Sequence, residues 1–288
     1  MNGSDMSYAW SDRMIVGTLA ADTDAVANIV AGDAQTTLLV STGGVVQVVP
    51  MGSLDGGWGA PVTLQTNATP PVDLAEVEAC GVPFGNRLCV VAVGGGTVRF
   101  WVFSQGEWLQ VGSVVNVYEA FGSPRFPALA VHPHNWRFFV ATWHGAKTIV
   151  SASPDRGAEW HDGHDLLGTV WVADVDNLQY PALWCDKDYL WLVGWVGGAY
   201  RGAAGKLMVY KYRAQADLEA AGAGVTVGPA DEGRPAIIRR PGTWELMVVA
   251  PKVGGGWMDL PGATRGIVEY RSVDSGGTWT LQELHEVS

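Results

Sequence analysis

Three prolines, Pro127, Pro181 and Pro235, stand 54 residues apart, and each opens an apolar run: "FPALAV", "YPALWC" and "RPAIIR". A fixed period in this range means that one structural unit recurs, each copy burying its apolar face against the next. Behind each proline the same order returns. A second apolar run follows ("WRFFVATW", "YLWLVGW", "WELMVVAP"), then a third ("KTIVSAS", "KLMVYKY", "GIVEYRS"). The first half of the chain carries the cycle more faintly. "DLAEVEAC", "RLCVVAV" and "TVRFWVFS" form one copy, and "DAVANIV", "TTLLVST" and "VVQVVPM" another. Five cycles result.

The runs are short, rich in Val, Leu and aromatics, and bounded by Gly, Pro or Asp, with no helical period; this is strand punctuation. A fourth run closes each cycle: "WGAPVTLQ", "WLQVGSVV", "WHDGHDLLGT", a weaker one within "ADLEAAGAGVTV", and "WTLQELHEV". Four antiparallel strands repeated around a ring predict an all-β, five-bladed β-propeller, which removes sheet edges by radial closure. The whole chain, 1–288, reads as a single domain. "WSDRMIVGTL" (10–19), within the first 22 residues, reads as a strand involved in ring closure, in competition with the C-terminal 279–287. A six-bladed ring is the alternative.

Composition narrows the function classes. A net charge of -11 argues against nucleic-acid or anionic-membrane partners. No apolar run reaches the roughly 18 residues that a membrane-spanning helix needs. No secretory signal is legible in "MNGSDMSYAWSDRM". The 3 cysteines, Cys80, Cys89 and Cys185, have neither the number nor the spacing of a disulfide framework or zinc site, and read as free buried thiols. Cys80 and Cys89 flank "GVPFGNRL" and could face each other on a hairpin.

One short pattern occurs at the same place in more than one cycle. Ser153, Asp155, Gly157 and Trp160 in "SASPDRGAEW", and Ser272, Asp274, Gly276 and Trp279 in "RSVDSGGTW", follow S-x-D-x-G-x-x-W between the third and fourth runs. "SLDGGW" (53–58) and "SQGEW" (104–108) are shortened versions. The pattern resembles the Asp-box, or bacterial neuraminidase repeat, of sialidase-like propellers. Its residue types suit a turn: Ser and Asp bond nearby backbone N–H groups, Gly accepts a positive φ, and Trp packs between strands. The resemblance implies a structural role for these residues, on the face away from catalysis.

"RFPALAV" (125–131) is similar to the Arg-Ile-Pro motif of sialidases, whose Arg helps to clamp a substrate carboxylate. The resemblance gives Arg125 that role, with Arg234 in "GRPAII" two cycles later and Arg201 or Arg265 available as a third. A bidentate guanidinium is the right group for a carboxylate. No Tyr/Glu nucleophile pair or acid Asp can be assigned by pattern. Glu119, Asp174, Asp176, Asp231 and Glu232 lie in connections that lead to inner strands and read by default as solvated loop acids. His161, Asp162, His164 and Asp165 in "HDGHD" look metal-like, but 161 and 164 point to opposite faces of a strand, so no metal is expected. "HPH" (132–134) reads as a turn, and the Gly-rich "VGGG" and "KVGGG" lack the helix of a phosphate loop. No cofactor is implied.

In a propeller the connections between second and third strands share a face with the blade-to-blade connections. Two of them read as long, 195–205 and 250–266, and extra loop length on a rigid scaffold is where binding function concentrates. They carry Trp195, Tyr200, Arg201, Trp257, Met258, Asp259 and Arg265, which suit a glycan or a protein partner. The expectation is a recognition or structural propeller that binds without cleaving, as a phage virion component (tail or surface) that contacts a glycan or protein at the host surface, or otherwise outside the cell. A cytoplasmic setting and homo-oligomerisation stay open. The enzymatic alternative is a sialidase-like exo-glycosidase.

Overall fold

The computed structural model describes residues 25–31, 36–42, 45–53, 57–58, 60, 62–63, 78–84, 87–94, 96–105, 107–115, 123–145, 147–153, 178–197, 205–214, 219–230, 233–240, 243–253 and 265–287. They form five antiparallel sheets, with no helix among the described residues. The first sheet holds β1 (Ala25–Ala31), β2 (Thr36–Thr42) and β3 (Val45–Ser53), with two short strands on β3, β4 (Gly57–Trp58) and β5 (Val62–Thr63). The second holds β6 (Glu78–Phe84), β7 (Arg87–Gly94), β8 (Thr97–Ser104) and β9 (Glu107–Val115). In the third are β10 (Arg125–Val131), β11 (Phe138–Trp143) and β12 (Thr148–Ser153). The fourth has β13 (Leu178–Cys185), β14 (Tyr189–Val196) and β15 (Lys206–Arg213), with β16 (Glu219–Ala220) and β17 (Val225–Pro229) both on β15. The fifth has β18 (Ala236–Arg239), β19 (Leu246–Val253), β20 (Arg265–Ser272) and β21 (Thr280–Val287).

Each sheet is one sequence cycle, and their first strands lie side by side in chain order, β1 on β6, β6 on β10, β10 on β13 and β13 on β18. The chain is an all-β propeller. The core sits between sheets, not inside one. On β11, Phe138 and Val140 face the second sheet, where Phe138 meets Phe100 at 4.9 Å, while Phe139 and Ala141 face the fourth. On β14, Leu190 and Leu192 turn back to the third sheet, and Trp191 and Val193 turn to the fifth. Both faces of a middle strand are thus dry, which is why these strands read as unbroken apolar runs and not as alternation.

The structure corrects several boundaries. β6 runs on through Phe84, and its register sets Val82 opposite Cys89 and Val91 opposite Cys80, so the two cysteines are not cross-strand partners. Burial pushes the Cys89 thiol up to about 12, and Cys185 also upward. Thiols raised in this way stay protonated at neutral pH. The fourth run of the fourth cycle is broken into β16 and β17, and the one at 160–169 lies outside the described residues. So does 10–19. The C-terminal β21 occupies the outer position on β20, paired from Arg271↔Thr280 to Arg265↔Val287.

The turn at 272–279 is fully bonded. Ser272 Oγ lies 2.7 Å from Asp274 Oδ1 and accepts from Gly276 N at 2.8 Å. Asp274 accepts from Thr278 N and Thr278 Oγ1, both at 2.8 Å. Those bonds hold its carboxyl well below the usual range, at about 2. Ser275 and Gly276 take φ 58° and 88°, and Trp279 donates Nε1–H to Gly276 O at 3.2 Å. Trp279 is half-buried against the core of the last two sheets, not enclosed. In the other copy Ser153 is buried at the end of β12, and Asp155, Gly157 and Trp160 lie outside the described residues.

Candidate functional site

The site grows out of how each inner strand begins. Ala128, Ala182 and Ala236, one residue past the three prolines, stand opposite Ala141, Val193 and Val249. Just before them the ladder slips: Arg125 pairs with Trp143 and Gln179 with Trp195, so Phe126–Pro127 and Tyr180–Pro181 bulge out of register. Phe126 and Tyr180 take φ 52° and 53°, a left-handed conformation that is rare for an aromatic residue and further disfavoured before proline. Strain of this kind costs roughly 1–3 kcal/mol per residue and persists only where surrounding structure over-determines it.

The bulge re-aims the side chains. Phe126 stacks on Trp143 of its own sheet (5.6 Å between centroids, 27° between planes) and meets Tyr180 of the next sheet at 4.2 Å. Tyr180 in turn meets Trp195 edge-on at 6.5 Å. Arg234 holds the same place before Pro235, and its guanidinium lies over the Phe126 ring at 5.5 Å although the two belong to sheets two apart. Residues at one repeat position in three successive sheets thus converge: two aromatic faces and one cation, an arrangement with cation–π character. Trp195 is fixed by Nε1–H donating to Ala230 O at 3.1 Å, and a Cβ on Gly205 would sit 2.1 Å from that Nε1. Glycine at 205 is what leaves room for the indole.

Arg125, Arg234 and Trp195, singled out from sequence, therefore all lie at this mouth. Trp195 belongs to β14, not to a loop, and Arg265 opens β20 opposite Val253, so the connections there span 197–205 and 254–264. Tyr200, Arg201, Trp257, Met258 and Asp259 lie outside the described residues, as do Glu119, Asp174, Asp176, Asp231, Glu232 and the "HDGHD" segment. Phe126, Tyr180 and Trp143 were not singled out. Their signal was present: an aromatic before two of the three periodic prolines, and a Trp closing the second run of the third and fourth cycles. Among the described residues no trio of His, Cys, Asp or Glu is placed to hold a metal ion.

No family profile and no curated protein matches the chain in sequence. Solved structures match in fold. An exo-1,5-α-L-arabinanase from a bovine ruminal metagenomic library superposes with a TM-score of 0.53 at 13% identity, over 93% of this chain and 100% of its own. A putative 6-phosphogluconolactonase from Bacteroides uniformis gives 0.52 at 10% identity, over 90% of this chain and 71% of its own. The sialidase NanB, solved with Optactamide, gives 0.50 at 14% identity, over 72% of this chain and 32% of its own. At such identities the likeness is one of fold.

Proposed function

We propose that the protein is a carbohydrate-directed propeller of glycoside-hydrolase type, taking its glycan at the mouth formed by Phe126, Tyr180 and Arg234. The observation that carries this reading is the convergence of those three residues, two of them at strained backbone positions, on one end of the inner strands. Aromatic faces suit the C–H faces of a sugar ring, and a guanidinium suits hydroxyls or a carboxylate. Propeller folds like this one serve an exo-arabinanase and a sialidase, which supports the same class of substrate here. Most glycoside hydrolases use two carboxyls across the sugar, and sialidases use a Tyr nucleophile with an acid carboxyl. Asp231 and Glu232, two or three residues before Arg234, are the first to test, then Asp174, Asp176 and Glu119. In this reading the ring is five-bladed, one domain covers the chain, and the bonded turn at 272–279 is an Asp-box with a purely structural role.

Release of reducing sugar from debranched arabinan, and of fluorophore from a sialoside and a set of neutral glycosides, tests it. Turnover lost in Arg234→Ala and in Asp231→Asn or Glu232→Gln, with folding intact, is the expected result; turnover on none of these substrates refutes the hydrolase. A second reading is favoured by one observation: the groups that converge at the mouth, two aromatic rings and a guanidinium, are groups that hold a ligand. Under it the protein binds a glycan or a partner protein without cleaving, outside the cell or on a virion surface. Glycan-array binding that Tyr180→Ala abolishes, without turnover, would select it.

A further inference from the structure

The opposite end of the same three sheets carries a second set of exposed aromatics. The hairpin between β10 and β11 spans 132–137 and that between β18 and β19 spans 240–245, whereas the one between β13 and β14 spans only 186–188. The register makes Trp136 and Trp244 equivalent, each two residues before the first paired residue of its second strand, Phe138 and Leu246. Both are exposed, at 39% and 61%.

Each stands on a well-bonded hairpin. Trp136 sits at φ 62° in a turn where His132 Nδ1 accepts from His134 N (3.1 Å) and Asn135 N (3.2 Å), and Arg137 N donates to Asn135 Oδ1 at 3.1 Å. Trp244 has one face on the Arg239 guanidinium, 4.0 Å from its centroid. Arg239 is itself pinned, its Nε–H donating to Thr243 O and its Nη1 lying 4.0 Å from Asp186 Oδ2. The short middle hairpin ties the two together, since Lys187 O accepts from His132 Nε2 at 3.1 Å on one side and Asp186 meets Arg239 on the other. Between the two tryptophans it offers Lys187 and Asp188, an exposed pair of opposite charge 3.6 Å apart.

We infer that this face is a second glycan-binding site, for a neutral polysaccharide chain that stacks on Trp136 and Trp244 and crosses the short hairpin at Lys187 and Asp188. The chemistry favours that occupant. Flat rings carried on bonded turns suit sugar faces at low entropic cost. A floor whose charges cancel suits hydroxyls, whereas an anionic membrane or nucleic acid calls for a basic surface. The inference rests on the carbohydrate reading above and adds a site remote from the mouth, one that would hold polymer while the mouth works on its end.

Native electrophoresis of the full chain in gels containing debranched arabinan, β-1,4-galactan or hydroxyethylcellulose tests it. Retardation in at least one gel is expected, weakened roughly three- to tenfold by Trp244→Ala or Trp136→Ala and abolished by the double variant, since one stacked ring is worth about a factor of that size. Trp244→Phe should keep part of it, and Arg234→Ala all of it. Unfolding midpoints near wild type show that the variants are folded. No retardation in any gel, or retardation that survives the double variant, overturns the inference; so does Trp136- and Trp244-dependent binding to phosphatidylcholine/phosphatidylglycerol vesicles in its place. Turnover with no retardation removes this site and leaves the mouth. Retardation lost in the double variant of a protein with no turnover removes the hydrolase and leaves this site.

Discussion

The two ends of the inner strands solve different problems with one repeat. At the mouth, Phe126 and Tyr180 sit in left-handed bulges, and their rings meet each other, Trp143 and Trp195 across strands and sheets. At the far end the turns are satisfied from within: Asp274 bonds Ser272 and Thr278, and Asp186 Oδ1 accepts from Asp188 N and Tyr189 N at 2.8 and 2.7 Å. Left-handed residues occur at both ends, but at the far end Trp136 and Ser275 sit within turns bonded from their own residues, whereas at the mouth Phe126 and Tyr180 lie in bulges whose rings meet across sheets. Hydrogen bonds accumulate where the chain only has to reverse.

Single substitutions can break that contrast. The largest effect is expected at the far end, where His132 is 5% exposed and links three backbone groups across two sheets. His132→Ala should cost about 3 kcal/mol from lost bonds and a cavity, measured by urea unfolding; a wild-type midpoint would mean the latch is idle. Gly205→Ala, at the mouth, should cost about 2 kcal/mol by overpacking, with a changed near-UV dichroism as Trp195 leaves Ala230 O. Asp274→Ala should cost about 1–2 kcal/mol, comparable to the loss of a side-chain cap. The sharper comparison is within one position. Glycine tolerates φ 53° and alanine does not, so Tyr180→Gly should be more stable than Tyr180→Ala by about 1 kcal/mol, the reverse of the usual order in strands. Equal stability would show that the bulge relaxes once the ring is gone, and that Tyr180 is not held under strain.

The smallest effects are pH slopes, and the two far-end groups slope in different windows. Burial lowers the His132 pKa below 6.5, and its Nδ1, already accepting two N–H groups, has no place for a proton. The folded state then binds fewer protons than the unfolded one. Stability should be complete above pH 6.5 and erode below it, a slope that His132→Gln removes. Asp274 is depressed from 3.8 to about 2, so its contribution should be present above pH 3.8 and vanish as pH falls towards 2, flattened in Asp274→Asn. A mouth variant such as Arg234→Ala should alter neither slope.

How much of this was legible depends on how local each cause is. The 54-residue period and the Gly/Pro/Asp punctuation set five cycles of strands, because a strand dry on both faces must be a continuous apolar run and a turn must have turn residues. The bonded turn from Ser272 to Trp279 was equally legible, since its donors and acceptors all lie within eight residues. Strand ends were less so: β19 and β20 run four and two residues into the stretch read as a loop, since ladder bonds between strands extend as far as both partners stay extended. The mouth was half-visible. Arg125, Arg234 and Trp195 stood out by type, but the direction of Phe126 and Tyr180 is set by a slip in the ladder against Trp143 and Trp195, which no run of residues announces. Likewise Trp136 and Trp244 stand exposed on hairpins three residues longer than the one between them, a difference that matters only once the three sheets stand side by side. The sequence determined what each strand and turn would be, because those rest on neighbours in the chain. Only the tertiary structure decided which side chains meet, because that rests on register and on sheets brought together from 54 and 108 residues apart.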